Sequence, residues 1–192
     1  MTSNNDLWVF AYGSLMWDPG FDYAEVLPAR LFGYHRSFCI LSWTFRGRRD
    51  RPGLVLGLDN GGSCIGRAFR VDDGQREKVV NYLDGRETPD IRKPGVVVDV
   101  YRRKLLPVQL PEDAGEQRRV PAICYVCERT HEQYAGNLSP EAQLKYILQG
   151  EGSRGTSVEY LANTVRHIDD LGISDGPLHR LWGDVQANLS AP

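Results

Sequence analysis

The sequence predicts an α+β fold: a small mixed barrel or curled sheet with helices packed against it. Strand-like apolar segments and turn signals fill the first two thirds of the chain, broken by one helical stripe, and capped amphipathic stripes fill the last third. The chain has 192 residues, of which 41% are hydrophobic, enough for one substantial core. Residues 1–192 therefore read as a single domain.

The elements follow in order. Leu7 to Tyr12 is an apolar strand that runs into Gly13-Ser14, and Leu31 to Ile40 is a second strand. Leu54, Leu56 and Leu58 alternate along Gly53 to Leu58, with Val55 between them, as in a mostly buried strand. Asp59-Asn60-Gly61-Gly62 carries a hairpin-turn composition, with Ser63 to Val71 as the return strand. Asp72 or Asp73 can cap a helix reaching about Leu83, with Val79, Val80 and Leu83 as its stripe. Val96 to Tyr101, Leu105 to Leu110 and Val120 to Val126 return to strand, and Pro111 to Arg119 is a polar surface loop.

Ser139-Pro140 opens a helix whose face is Leu144, Ile147 and Leu148. Thr156 with Glu159 forms a capping box for the next helix, which presents Leu161, Val165 and Ile168 and stops at Gly172. Pro177 to Ala187, with Leu178, Leu181 and Val185, makes the last helix.

Charge and cysteine content exclude several classes. With 23 Lys and Arg against 25 Asp and Glu, the net charge is −2, so no global basic field exists to hold nucleic acid or an anionic membrane. The Arg46, Arg48, Arg49, Arg51 cluster reads as a solvated loop. No apolar run approaches the ~20 residues of a spanning helix. Met1 to Asp6 is polar and lacks the layout of a signal peptide, so the expected location is cytoplasmic. Four cysteines are too sparse for a disulfide scaffold. Cys124 and Cys127 match C-x-x-C, but residues three apart on a strand face opposite sides, and no second pair completes a zinc site. They read as small core residues.

Some short segments could carry chemistry. Trp8-Val-Phe-Ala-Tyr-Gly-Ser-Leu15 ends a buried strand in Gly-Ser, where successive N–H groups can form a nest for carboxylate or phosphate oxygens. A plain strand-to-loop corner is the alternative. In Tyr82-Leu-Asp-Gly-Arg-Glu87, Glu87 falls where a helix gives way to a loop, opposing the helix dipole. It reads either as a functional carboxylate or as an exposed loop residue, and Arg86 reads as a solvated charge. His35 and Arg36 are either substrate-carboxylate contacts or strand residues facing solvent, and arginine's usual exposure favours the second.

Taken together, these stretches resemble the ChaC (cation transport regulator-like) family, the glutathione-specific γ-glutamylcyclotransferases. The resemblance runs in order through Trp8 to Leu15, Gly33 to Phe38, Arg51 to Leu58, Gly61 to Val71 and Leu83 to Glu87. It continues in the tail through Tyr134 to Gly136, Val158 to Leu161 and the Leu171 region. It implies a γ-glutamylcyclotransferase-like mixed β-barrel with flanking helices. It further implies cleavage of glutathione to 5-oxoproline and Cys-Gly, or of another γ-glutamyl compound to 5-oxoproline and its own amine, without metal, nucleotide or organic cofactor. Glu87 is the implied proton acceptor. Val9, Phe10, Ala11, Tyr12, Gly13, Ser14 and Leu15 are the implied substrate pocket, and Tyr160 is an added lining residue.

That chemistry asks for a carboxylate beside the substrate's α-amine. The amine, with a reference pKa of about 7.7–8.0, must lose a proton before it attacks its own γ-carbonyl. A fully exposed glutamate, at about 4.3, is a weak base, so Glu87 is expected to be partly buried. Thr88 to Val100 departs from the family as an insertion after the glutamate, and leaves the exact γ-glutamyl substrate open. The remaining alternatives are a cyclotransferase for other γ-glutamyl amino acids or amines, and a non-catalytic protein-binding regulator.

Overall fold

The computed structural model describes residues 6–87, 99–113 and 116–191. These residues form two compact units, one from 1–36 and 58–131, the other from 37–57 and 132–192. The described residues include a closed five-stranded barrel and four α-helices, as the α+β reading requires.

The barrel order is β1-β3-β2-β4-β5. Its strands are β1 (Leu7–Ala11), β2 (Glu25–Ser42), β3 (Gly53–Val71), β4 (Tyr101–Gln109) and β5 (Arg119–Cys127). β1 lies antiparallel to β3, with Val9 opposite Phe69, and parallel to β5, with Trp8 opposite Ala122. The parallel β1–β5 pair beside antiparallel ones makes the barrel mixed. All five residues of β1 are buried, which explains why the segment reads as a continuous apolar run rather than an alternating one. β4 and β5 pair antiparallel along their whole length, from Tyr101 opposite Cys127 to Gln109 opposite Arg119.

The expected hairpin turn at Asp59-Asn60-Gly61-Gly62 is absent. β3 runs unbroken through it, and the chain reverses between β2 and β3 at residues 43–52. Gly61 and Gly62 do take positive φ, 103° and 68°, as a primed turn would require. Here that freedom bends a long strand instead of reversing it. The Asp59 carboxylate accepts from Asn60 N at 2.9 Å and from Arg129 Nε at 2.8 Å.

A short 3-10 turn, Asp73–Gln75, leads into α1 (Arg76–Glu87). Asp72 occupies the cap position without a side-chain cap bond, and the helix continues one turn past Leu83 to include Glu87. Val79 and Leu83 are buried as expected, while Val80 is only half-buried. Residues 96–98 of the expected 96–101 strand lie outside the described residues, and the expected 105–110 strand is part of β4.

In the second unit, α2 (Pro140–Gln149), α3 (Ser157–Asp170) and α4 (Gly176–Leu189) pack against one another. Ser139 caps α2 through Ala142 N at 3.3 Å. Of the predicted α2 face, Ile147 is buried, but Leu148 points outward at 37% exposure. The Thr156–Glu159 capping box opens α3 with both reciprocal bonds present, at 2.8 and 3.1 Å. The helix ends in a Schellman arrangement, Ile173 N to Ile168 O and Gly172 N to Asp169 O, with Gly172 at φ 65°. Before α3, the two-residue strands β6 (Glu151–Gly152) and β7 (Gly155–Thr156) pair with each other.

Ser157, fully buried, ties this unit's backbone together. Its hydroxyl accepts from Leu54 N and donates to Arg46 O, each at 3.0 Å. No helix among the described residues is long and apolar enough to cross a membrane.

Candidate active site

β1 delivers the Tyr12-Gly13-Ser14-Leu15 segment to the end of the barrel, where Ser14–Met16 coils into a single 3-10 turn. Its internal bonding starts with Met16 N to Gly13 O at 2.8 Å. The N–H groups of Gly13, Ser14 and Leu15 precede that bond, so the turn's own ladder does not consume them. Val9, Phe10 and Ala11 are completely enclosed in β1, Tyr12 and Leu15 are buried, and Ser14 is half-buried. Phe10 packs where a side chain at Gly66 would collide with it and with Ala11 O.

Arg36 fixes the entry to this turn. Its guanidinium is buried at 8% exposure and donates to Tyr12 O at 2.6 Å and to Ile65 O at 2.8 Å. The expectation that Arg36 faces solvent is therefore overturned. Two backbone carbonyls supply the partners that a buried cation needs. Period-2 reading of β2 held the signal, because Arg36 shares a strand face with the buried Phe38 and Ile40. His35, its half-buried neighbour, contacts Gly61 O through Nδ1 at 3.1 Å.

Glu87 is the last residue of α1. Its side chain is 18% exposed, and Arg86 Nε lies 3.2 Å from its Oε1. Burial pushes the Glu87 carboxyl above the usual carboxylate range, and the Arg86 charge partly opposes that rise. Arg86 is not the solvated charge that the sequence suggested. Its Nη2 donates to Ser14 Oγ at 3.0 Å, and its Nη1 donates to Asp18 O at 2.9 Å and Tyr82 Oη at 3.1 Å. One guanidinium thus joins the Glu87 carboxylate to the Ser14 turn. Tyr82 and Arg86, four apart on α1, share a helix face, which was the sequence signal for their contact.

A second polar chain adjoins Glu87. Tyr125 of β5 donates to Asp84 Oδ1 at 2.8 Å, and Asp84 Oδ2 takes Arg103 Nη1 at 2.6 Å. Burial, that bond to Asp84, and the charges of Asp84 and Glu87 all hold the Tyr125 phenol well above its ordinary range. It stays protonated and remains a donor. None of these three side chains stood out in the sequence, since nothing but tertiary folding brings them together.

Tyr160 belongs to the second unit. Its ring meets Phe38 edge-on at 5.9 Å, and Arg46 lies over it at 5.5 Å. The Cys124 thiol is buried and pushed up to about 12, chiefly by burial, which keeps it in the unreactive protonated form. Among the described residues, no group of three His, Cys, Asp or Glu side chains is arranged to hold a metal ion.

The profile of the ChaC-like protein family matches residues 7–188. This chain belongs to the ChaC-like family. It is 29% identical over 184 residues to the glutathione-specific γ-glutamylcyclotransferase of Escherichia coli (strain K12), spanning 96% of this chain and 74% of that protein. It is 34% identical over 190 residues to the Schizosaccharomyces pombe protein of the same name, covering 88% of this chain and 87% of that one. With human glutathione-specific γ-glutamylcyclotransferase 1 it shares 34% over 157 residues, 81% of this chain and 66% of that protein. A crystal structure of a yeast γ-glutamylcyclotransferase specific to glutathione superposes with a TM-score of 0.82 at 21% identity, covering 96% of this chain and 97% of that one. At that identity, the likeness shows a common fold. In this ChaC-like chain, the Glu87 carboxylate and the YGSL turn occur in one unit, joined through Arg86.

Proposed function

We propose that this chain is a γ-glutamylcyclotransferase that acts on glutathione, releasing 5-oxoproline and Cys-Gly, as one ChaC-like domain in the cytoplasm. The observation that carries this reading is the pairing of a largely buried Glu87 carboxylate with the Ser14 turn in a ChaC-like chain. The named activity of its relatives supports it.

The chemistry uses residues already described. The substrate's α-amine loses a proton to Glu87 and attacks its own γ-carbonyl, closing a five-membered lactam. Glu87 then returns the proton to the departing amine of Cys-Gly. A carboxyl held above the usual range by burial is a better base than an exposed one. Gly13, Ser14 and Leu15 N–H groups serve as donors, either to the α-carboxylate, which holds the chain folded on itself, or to the oxyanion of the intermediate. Val9 to Tyr12 build the wall behind them, and Tyr160 is assigned as a further substrate contact. No covalent nucleophile is required, so Ser14 acts through its backbone and its contact with Arg86.

The test is product analysis after incubation with glutathione and a panel of γ-glutamyl amino acids and amines. Expected products are 5-oxoproline and Cys-Gly, and Glu87→Gln is expected to lower kcat by ~10²–10⁴-fold. Unchanged turnover in that variant would remove Glu87 from the role of base. A preference for a γ-glutamyl compound other than glutathione would reassign the substrate while keeping the reaction. The departing segment at residues 88–100, of which 88–98 lie outside the described residues, is where loop exchange would then be directed.

A further inference from the structure

We propose that Arg86 is a positioning residue that holds the Glu87 carboxylate by its charge and braces it to the Ser14 turn, so that the carboxylate meets the substrate amine at a set distance. This inference rests on the reaction proposed above and adds to it a group that the reaction itself does not name.

The geometry is specific. Arg86 is 19% exposed and reaches four partners on three segments: Glu87 and Tyr82 on α1, Ser14 on the 3-10 turn, and Asp18 just after it. The Glu87 side chain keeps 18% of its surface exposed, and Arg86 Nε lies 3.2 Å from its Oε1. A carboxylate free to rotate would present either oxygen at variable reach. With Arg86 Nε 3.2 Å from Oε1, the ion pair restricts that rotation. The guanidinium is planar and rigid, so the spacing between Nε and Nη2 becomes a fixed spacing between Glu87 Oε1 and Ser14 Oγ. Reactions that depend on near-attack geometry are sensitive to such a spacing.

Arg86 also supplies a permanent positive charge beside a buried acid. Glu87 is further faced by Tyr125 from β5, which is hydrogen-bonded to Asp84 and, through it, to Arg103 of β4. The Ser14 hydroxyl faces Arg86 from the turn. Asp84 and its partner Arg103 carry opposite charges. The Tyr125 phenol stays neutral, so among the described residues Arg86 is the cation in direct contact with Glu87.

The experiment is a ¹³C-carboxyl NMR titration of Glu87, assigned by difference with Glu87→Gln, in the wild type, Arg86→Gln and Arg86→Lys. It reads the site whether or not turnover is observed. Arg86→Gln is expected to move the Glu87 titration upward by about one pH unit or more, the size expected for losing an adjacent opposite charge. The acid limb of kcat/KM should move with it. Arg86→Lys keeps the charge but cannot bridge two acceptors in the same plane. It should titrate within a few tenths of a unit of wild type while kcat/KM for glutathione falls at least ~10-fold. A Glu87 titration in folded Arg86→Gln that matches wild type would overturn the proposal, as would full kcat/KM in Arg86→Lys. If Arg86→Gln does not fold, the lysine variant alone decides. If the wild type converts no γ-glutamyl compound, the functional reading fails, while the titration still tells whether Arg86 governs Glu87.

Discussion

Replacing Arg36 with methionine tests whether this buried cation holds the substrate turn. The guanidinium donates to Tyr12 O and Ile65 O, and methionine of similar length keeps the apolar volume while removing both donors. Hydrogen bonds from a charged group contribute about 1.5–3 kcal/mol each, so the nominal loss is about 3–6 kcal/mol. Relieving the desolvation of a buried cation returns part of that. The net expectation is about 2–4 kcal/mol, or a fall in Tm of roughly 4–16 °C for a chain of this size. Urea unfolding followed by tryptophan fluorescence, with Trp8 buried in β1 as one reporter, gives the free energy. Arg36→Lys, with one compact head group, should recover about half of the loss. Because Tyr12 leads directly into the turn, KM for the γ-glutamyl substrate should rise in Arg36→Met under conditions where the protein is fully folded. A loss below about 1 kcal/mol, or a lysine variant as stable as wild type, would show that Arg36 does not hold the turn.

Other expectations follow from the same geometry. Glu87 has a folded-state pKa above its unfolded value, so folding favours its protonated form, and the stability it contributes is lost as pH rises through the folded pKa. Glu87→Gln should therefore be more stable than wild type at pH 7 and indistinguishable from it near pH 4 in thermal melts. Equal melting curves at pH 7 would contradict the sign. Thr156→Ala removes one half of the α3 capping box and should cost about 1 kcal/mol in chemical denaturation. Cys124, enclosed and held protonated, should resist thiol reagents at pH 8 in the native protein, and rapid modification there would show that β5 opens locally.

The helical third was legible because its signals are local. A capping box, a proline after Ser139 and a glycine at the C-terminus each act within a few residues, and α2, α3 and α4 start and stop close to where those residues put them. The barrel strands were visible as apolar runs, but their lengths were not. β2 and β3 each take partners from distant segments in a closed sheet, β4 beside β2 and β1 beside β3, which is a tertiary demand. The misread turn at Asp59 to Gly62 shows the limit of composition: two glycines at positive φ serve a bent strand as well as a reversal. At the site, Glu87 and the YGSL turn were weak as isolated motifs and gained weight from family resemblance. Arg86 and Arg36 were missed because arginine is usually exposed, and what buries them is a set of carbonyl and side-chain acceptors contributed by distant segments.

The parallel pairing of β1 with β5 also bears on synthesis. Every residue proposed to touch the γ-glutamyl group in the barrel unit, and Glu87 itself, has emerged before β5 begins at Arg119. Until β5 arrives, β1 can complete its ladder only on the β3 side, so Leu-Trp-Val-Phe-Ala keeps one unpaired edge and an uncovered apolar face. More than a hundred residues separate Trp8 from its partner Ala122, a closure that comes late and slowly. A nascent or prematurely ended chain thus carries the strand that leads into the turn as a sticky open edge, the arrangement that invites strand-to-strand aggregation and engages chaperones. In the finished barrel, the same closure gives that edge its partner and seats the strand that carries the turn.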